Sequence, residues 1–532
     1  MGNATFKKGL IVLLAIYFLL GAILFVNRIV LADAFSREEA QHAIYGAWLV
    51  QDIKAFDLAG FWHDTQRQMY WPFLHSYLLV VPFLIFGVSY FSARLLSFLL
   101  FVATLGLMYT VARKFSERDG WKIGLLAVGL ALTSPMMIRF ASENTLEGLG
   151  AFIFLASFHL YTFCERNNLN LDYAILALLV SLSVFTNYIY AYLIIPAYFV
   201  VFMGKLGVVT CNVIELSKKG EKAASHFFWW AYRKFMFFAV ILAVCLIWLV
   251  TSAFSRKFSL LMQAIFKYSG GDSVGGIWQN LFYYPNAIIG QYSFSPWIGG
   301  LIVVSLVLPF IASHYKFINK MFTFIWTVLI LATLTISVKS PQIIYVIAPF
   351  LYLVFSATVF YIIKFFKNRD QALLFLAVLF LPALLSLPWL VSSYFPANPG
   401  ENSVHILEYF KKTIPAEKPF TASMNLTKIN PEVLAFHFWD WKAPAIVDMI
   451  DGENAGFNKG EYFLSLELDS EGLGQSENLD DSVFRWNTFL MDKFRKGEIR
   501  EFSAQRFEKL GITAKIYQKQ YHPVPATIIL KH

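Results

Sequence analysis

Glu38 and Glu39 stand side by side in the polar stretch Ser36-Arg37-Glu38-Glu39-Ala40-Gln41-His42. A carboxylate within hydrogen-bond reach of an acceptor proton, its pKa raised by partial burial, can act as a general base. Glu38 is the expected base or acceptor-positioning group. Its competing role is an exposed acid in the first turn of a helix, favoured there by the dipole. Glu39 divides between substrate contact and a capping box, because Ser36-x-x-Glu39 has the spacing for reciprocal side-chain-to-backbone bonds. His42 follows Glu38 by four residues and shares a helical face with it. It orients that carboxylate, joins it on a metal, or is an ordinary interfacial histidine.

A second acid, Glu143, lies in Arg139-Phe140-Ala141-Ser142-Glu143-Asn144. It serves the same site or opens the next helix, and Glu147 one turn later is costly unless it faces a cavity. Six cations, Arg94, Arg139, Arg256, Lys257, Lys267 and Lys339, are candidates for holding a phosphate. Arginine can grip a phosphate with two parallel donors and lysine acts as a point charge. Each of them alone is also explained as a snorkelling interfacial residue. Trp62, Tyr70 and Trp71 either stack on a sugar ring or belong to an interfacial aromatic belt. His63 with Asp64 is too small a cluster for a metal site.

The elements that must carry these residues are membrane helices. Of 532 residues, 57% are hydrophobic and 15% charged, against roughly 45–50% and 25% in soluble proteins. Apolar runs of bilayer-spanning length recur, too continuous for the alternation of a β-barrel. The first run, about 10–31, is too long for a signal-peptide core and reads as a retained helix. Further helices are expected near 73–89, 91–112, 122–138, 145–163, 172–186, 190–204, 235–254, 296–313, 320–338, 343–363 and 372–395.

Charge decides which of them cross. Lys7 and Lys8 place the N-terminus inside, and four basic loops should join it there. These are 113–122, 205–234, 316–320 and 364–369. If 73–89 crossed, all four would face outside; if it lies on the surface, all four face inside. Pro72, Pro82 and Gly87 suit a surface-lying helix. The expectation is a polytopic α-helical membrane protein with about eleven transmembrane helices, N-terminus inside and C-terminus outside, and the acids on the outer face. Long loop 254–295 shares that face, with short helices expected near 257–268 and 277–290.

Composition changes after Pro396, where Asn398-Pro399-Gly400 signals a linker. Residues 397–532 hold 16 Lys+Arg and 19 Asp+Glu, whereas the rest of the chain holds 28 and 16. That basic excess is assigned to topology and not to nucleic acid. Two domains are expected: 1–396 in the membrane and 397–532 as a small soluble α/β domain. Helices are expected at 402–412, 430–441 and 482–496, and strands at 418–424, 444–449, 461–467, 512–517 and 524–530. Cys164, Cys211 and Cys245 all precede the tail, so it has no disulfide framework.

Three stretches resemble a known family. Arg37-Glu38-Glu39-Ala40-Gln41-His42-Ala43 is similar to the acidic signature after the first helix of GT-C membrane glycosyltransferases. Trp71-Pro72-Phe73-Leu74, Phe86-Gly87-Val88-Ser89 and Ser92-Ala93-Arg94-Leu95-Leu96-Ser97 resemble the next block, and 135–144 resembles a second polar loop. Tyr345 with Pro349 is similar to a late Tyr-x-x-x-Pro helix start. Protein O-mannosyltransferases and lipid A aminoarabinose transferases are the relatives most resembled. Glu38, Trp71 and Asn144 depart from the Asp, the Lys or His, and the Asp that such relatives carry there.

The resemblance implies a GT-C fold and transfer of a sugar from a polyprenyl-phosphate carrier to a lipid, glycan or protein acceptor at the outer face of a bacterial inner membrane. It implies catalytic roles for Glu38 and Glu143, and substrate contact by Glu39, His42, Trp71, Arg94, Arg139, Arg256, Lys257, Lys267, Lys339 and Tyr345. Arg94, which carries the family's Ala-Arg-x-x-Ser pattern, ranks first for phosphate. A divalent metal ion assists in some such enzymes. Displacement from a monophosphate carrier would invert the anomeric centre. Two other classes stay open: a lipid or glycolipid transporter or flippase, and a non-catalytic membrane assembly protein. A transporter would want an internal repeat with midplane charges, and neither is evident.

Overall fold

The computed structural model describes residues 3–68, 72–167, 170–218, 232–245, 276–307, 316–336, 339–366, 368–395, 402–416, 418–422, 428–441, 457–458, 460–468 and 481–520. Among the described residues six helices are long and apolar enough to cross a membrane: Lys8–Val30, Tyr90–Ala112, Glu147–Cys164, Tyr188–Glu215, Pro341–Ile363 and Asp370–Tyr394. Gly120–Leu132 and Pro135–Ser142, bent by 72°, add a seventh if the pair is one span. The chain is thus an integral membrane protein. Shorter apolar helices Leu171–Thr186, Pro296–Ser305 and Asn319–Thr335 stand where further spans are expected. The span expected at 235–254 is described, as helix, only to residue 245.

Nine helices are described between residues 3 and 186. They are α1 (Asn3–Phe25, running on as a π-helical turn over Val26–Val30), α2 (Arg37–Ala55), α3 (Leu58–Arg67), α4 (Leu74–Phe86), α5 (Tyr90–Ala112), α6 (Gly120–Leu132), α7 (Pro135–Ser142), α8 (Glu147–Asn167) and α9 (Asn170–Thr186). Helix α4 has 13 residues, about 20 Å at 1.5 Å per residue, short of the ~30 Å hydrocarbon core. Its buried side, including Leu79 and Phe83, faces α2 rather than lipid alone. Close approach requires Gly46 on α2, where a Cβ would stand 2.9 Å from the Leu79 Cβ. The chain leaves α1 and enters α5 at one face, because Arg94 near the start of α5 donates to the carbonyl of Asp33 just after α1. The described residues between Ser36 and Ser89 therefore form a polar layer on that face.

The basic loops gather at the opposite end. Asp119 binds Lys122 at 2.8 Å and Lys364 at 3.4 Å, joining two of them. Lys114 donates to the His159 carbonyl and Thr162 near the end of α8. Lys320 lies over the Tyr161 ring and Lys234 over Tyr173. The described cations of these loops thus lie at the ends of α5 and α8 away from the acids.

Between the faces the spans pack through interlocked aromatic rings. Phe154 meets Phe350 at 4.9 Å and Tyr198 meets Phe324 at 4.8 Å between ring centroids. A second core lies within the polar layer, and it unites segments far apart in sequence. Phe35, Ala43, Leu79 and Phe83 share it with Ile406, Phe410, Phe436, Leu464 and Ile516.

The C-terminal sheet has the order β1 (Phe420–Ala422), β2 (Tyr462–Leu468), β4 (Ile512–Lys519), β3 (Ile499–Phe507). β1 pairs parallel to β2, and the other pairings are antiparallel. Helices Ser403–Thr413, Pro431–His437 and Asp481–Arg495 flank it, close to expectation. Strand β3 was not expected from the sequence. It is an edge strand whose middle, from Arg500 to Arg506, is mostly exposed, so it shows no apolar alternation. The strands expected at 444–449 and 524–530, and the helix near 257–268, lie outside the described residues. The helix expected near 277–290 forms as Ile277–Gly290.

Candidate active site

Ser36 opens α2 as an N-cap in extended conformation, and the capping box forms. Glu39 Oε2 accepts from Ser36 N at 2.9 Å and from Ser36 Oγ at 3.2 Å. The same carboxylate does more than cap. Arg94 donates to its two oxygens from Nε at 2.9 Å and from Nη2 at 3.1 Å. The backbone N–H of Asn144 donates to Oε1 at 3.1 Å, and Asn144 Nδ2 donates to the Glu39 carbonyl. Glu39 is wholly buried. Burial alone would raise its pKa, but the charge and hydrogen bonds of Arg94, with Lys428 and Ser36, hold it below the ordinary carboxylate range.

Arg94 reaches Glu39 because of the turn before α5. Gly87 takes φ 80° there, and Ser89 and Ser92 cap the helix reciprocally. Arg94 also donates to the carbonyls of Asp33 at 2.7 Å and Ala34 at 3.4 Å, and lies over the Phe35 ring. The Gly-Val-Ser and Ser-Ala-Arg pattern thus has a local meaning: it aims a guanidinium at Glu39. Ranked first for phosphate on sequence, Arg94 is buried and engaged by protein groups on both edges of its fork. Its position is that of a brace between α2, α5 and the loop after α7.

Glu38, one residue away, is unlike its neighbour. It is half-buried and makes no hydrogen bond or ion pair with any described residue. Burial pushes its pKa up; the Arg139 charge opposes this and Glu39 adds to it. Arg139 is exposed and donates from Nε to both oxygens of Glu143 at 3.0 Å, an i,i+4 pair across the end of α7. Burial and the Glu39 charge raise the Glu143 pKa, against Arg139 and Lys428. Glu147, in the first turn of α8, is 5% exposed, and its Oε2 is buried with no hydrogen-bond partner among the described residues. It is close enough for its charge to act on Glu38. Glu38, Arg139, Glu143 and Glu147 therefore form one patch.

The other expected site residues divide. His42 lies in the interface of α2 and α4, its ring centroid 5.7 Å from that of His75. Burial pushes its pKa down to about 3, so it is neutral near pH 7. Lys339 donates to the carbonyls of Ala332 at 2.7 Å and Thr333 at 2.6 Å, closing the end of helix Lys316–Thr335. Tyr345 is buried against Phe140, centroids 4.7 Å apart, and near Tyr292. Trp71, Arg256, Lys257 and Lys267 lie outside the described residues. The donors do not assemble for a metal: among the described residues no group of three or more His, Cys, Asp and Glu could hold one.

Two neighbours of the site were not anticipated. Arg28, in the π-helical end of α1, donates from Nη2 to the Ser393 carbonyl at 2.7 Å, and its charge meets that of Glu143. A charge inside an apolar span is a visible signal that could have flagged it. Lys428, from the C-terminal layer, acts by charge on Glu39 and Glu143. No sequence signal says where the tail docks, so none could have found it. An apolar cavity of about 280 Å³ also opens among Leu281, Tyr284, Ile288, Val303, Trp326 and Ile330.

Residues 71–213 match the family model described as dolichyl-phosphate-mannose-protein mannosyltransferase. No curated protein matches the whole-chain sequence significantly. Among solved structures, ArnT from Cupriavidus metallidurans bound to undecaprenyl phosphate is similar over 96% of this chain and 98% of its own, at 12% identity and TM-score 0.57. ArnT from the same organism in the apo state gives the same values. The Archaeoglobus fulgidus oligosaccharyltransferase in complex with zinc and sulfate is similar over 85% of this chain and 67% of its own, at 11% identity and TM-score 0.51. The fold is the GT-C fold of membrane glycosyltransferases.

Proposed function

We propose that the protein is a glycosyltransferase that moves a sugar from a polyprenyl-phosphate carrier to a lipid, glycan or protein acceptor at the outer face of a bacterial inner membrane. The observation that carries this reading is Glu38: a half-buried carboxylate, unengaged among the described residues, with its pKa raised by burial, inside a GT-C fold. Glu38 orients the acceptor nucleophile and takes its proton. The acceptor oxygen or nitrogen bonds to the anomeric carbon as the carbon–oxygen bond to phosphate breaks. The phosphate leaves with the electron pair, and a single displacement inverts the configuration.

Arg139 faces the departing phosphate, with Glu143 holding it in place until substrate arrives. Glu39 and Arg94 keep the surrounding backbone rigid. The apolar cavity near Tyr284 is wide enough for part of an isoprenoid chain. On the same reading residues 1–396 are the membrane catalytic domain, with the N-terminus in the cytoplasm, and 397–532 form the extracytoplasmic domain.

Mass spectrometry of envelope glycolipids and glycans tests the reaction, comparing cells with wild-type protein, with Glu38→Gln and with none. A modified species present only with wild type is the expected result. Identical spectra in all three would remove the assignment. Orientation has a separate test: a cysteine at position 117, in a background without Cys164, Cys211 and Cys245, should resist an impermeant outside label.

A further inference from the structure

We propose that the C-terminal layer completes the active site by supplying Lys428 as a contact for the phosphate of the lipid-linked donor, an inference that rests on the donor class proposed above. Glu432, Phe436 and His437, on the short helix that follows Lys428, dock this segment on the start of α2 and on α5. Asn430, two residues on, caps helix Pro431–His437 by accepting from Val433 N at 3.0 Å. Glu432 pairs with Arg37, the first residue of α2, at 2.7 Å. Phe436 packs on Phe35 and Tyr90, with centroids 4.9 and 5.3 Å apart. His437 Nδ1 lies 3.1 Å from the Tyr90 hydroxyl. Ile429 and Asn430 are buried to about 1% exposure, so the backbone at Lys428 has little freedom.

This docking places the ammonium where its charge reaches both Glu39 on α2 and Glu143 after α7, acids contributed by two separate elements. Three other cations near the site are already engaged: Arg94 by Glu39 and two carbonyls, Arg28 by the Ser392 and Ser393 carbonyls, and Arg139 by Glu143. Lys428 is half-buried and makes no hydrogen bond or ion pair among the described residues. An anionic phosphate entering beside Glu38, Glu143 and Glu147 meets repulsion unless a cation accompanies it. A lysine without a fixed partner supplies that charge without first breaking a pair. The tail is then a wall of the site as well as a cover.

The test is binding of undecaprenyl phosphate, and of undecaprenol as the uncharged control, to the full-length protein in nanodiscs. Wild type should prefer the phosphate. Lys428→Met should lose about ten-fold or more in phosphate affinity, the scale of one charged hydrogen bond. Lys428→Met should leave undecaprenol affinity unchanged, and Lys428→Arg should keep most of the preference. A purely structural lysine would alter both ligands alike, so the ratio is the readout. Unchanged phosphate affinity in Lys428→Met, with wild type still preferring the phosphate, overturns the role of Lys428 alone. A wild type with no preference overturns this inference together with the donor class.

Discussion

Two regions of the polar layer, centred one residue apart, do opposite things with the same side chain. Around Glu39 the carboxylate itself is fully engaged: two Arg94 donors, an Asn144 N–H and the Ser36 cap converge on it in a buried setting. Around Glu38 the carboxylate is half-open and engaged by no described residue, and the cation whose charge acts on it, Arg139, is exposed and tied to Glu143. Helix geometry explains the contrast. Consecutive residues on α2 point about 100° apart, so one faces the α5 brace and the next faces the patch. The lesson is that an acidic pair in a signature motif can divide into a buried, fully engaged member and a half-open one.

Breaking the closed region should have the largest effect. Arg94→Ala or Glu39→Ala leaves an uncompensated buried charge, which costs about 3–5 kcal/mol. The expected outcome is loss of folded protein, read by thermal unfolding in detergent and by abundance in the membrane. Stability within a degree of wild type would show that the brace does not hold the layer together.

The open region should respond through pH rather than stability. Glu38 must be ionised to accept a proton, and burial raises its pKa. Transfer should therefore fail on acidification at a pH above the ordinary carboxylate range. Arg139 opposes that shift, so Arg139→Gln should move the acid limb of the transfer rate to higher pH. A limb that stays in place would separate Arg139 from Glu38.

A smaller effect belongs to the histidine pair beside the closed region. Burial holds His42 at about 3, and burial with the His42 charge holds His75 well below its ordinary value. The unfolded chain binds protons below about pH 6.5 that the folded chain refuses, so stability falls as pH drops from there toward the folded values. The slope approaches about 1.4 kcal/mol per pH unit for each histidine. His75→Phe should flatten the decline between pH 7 and pH 5. Smallest of all, Arg37→Ala breaks an exposed pair with Glu432, and should change stability by less than about 1 kcal/mol.

What could be read in advance was local. Ser36 and Glu39 form the expected cap because the bonds lie within one turn. The short α4, with Pro82 inside it, forms within the 73–89 stretch where a helix was expected. What stayed hidden joined distant segments. Arg94 and Glu39 are 55 residues apart, and each alone has the appearance of a site charge. The docking of Glu432 on Arg37 spans 395 residues, so the place of Lys428 beside the acids had no local sign. Lys339 is a like case: a lysine after a helix caps its end or faces a ligand, and here it donates to the Ala332 and Thr333 carbonyls.

The measurement that tests the account most directly sets Glu38→Gln beside Glu39→Gln in one preparation, reading sugar transfer and thermal unfolding on each. Glu38→Gln should unfold with wild type and lose about 10²–10⁴-fold in transfer, the usual worth of a positioned base. Glu39→Gln should be plainly destabilised, any loss of transfer following its loss of folded protein. A Glu38→Gln protein that transfers as well as wild type, or a Glu39→Gln protein of undiminished stability with its transfer abolished, would contradict the division of roles.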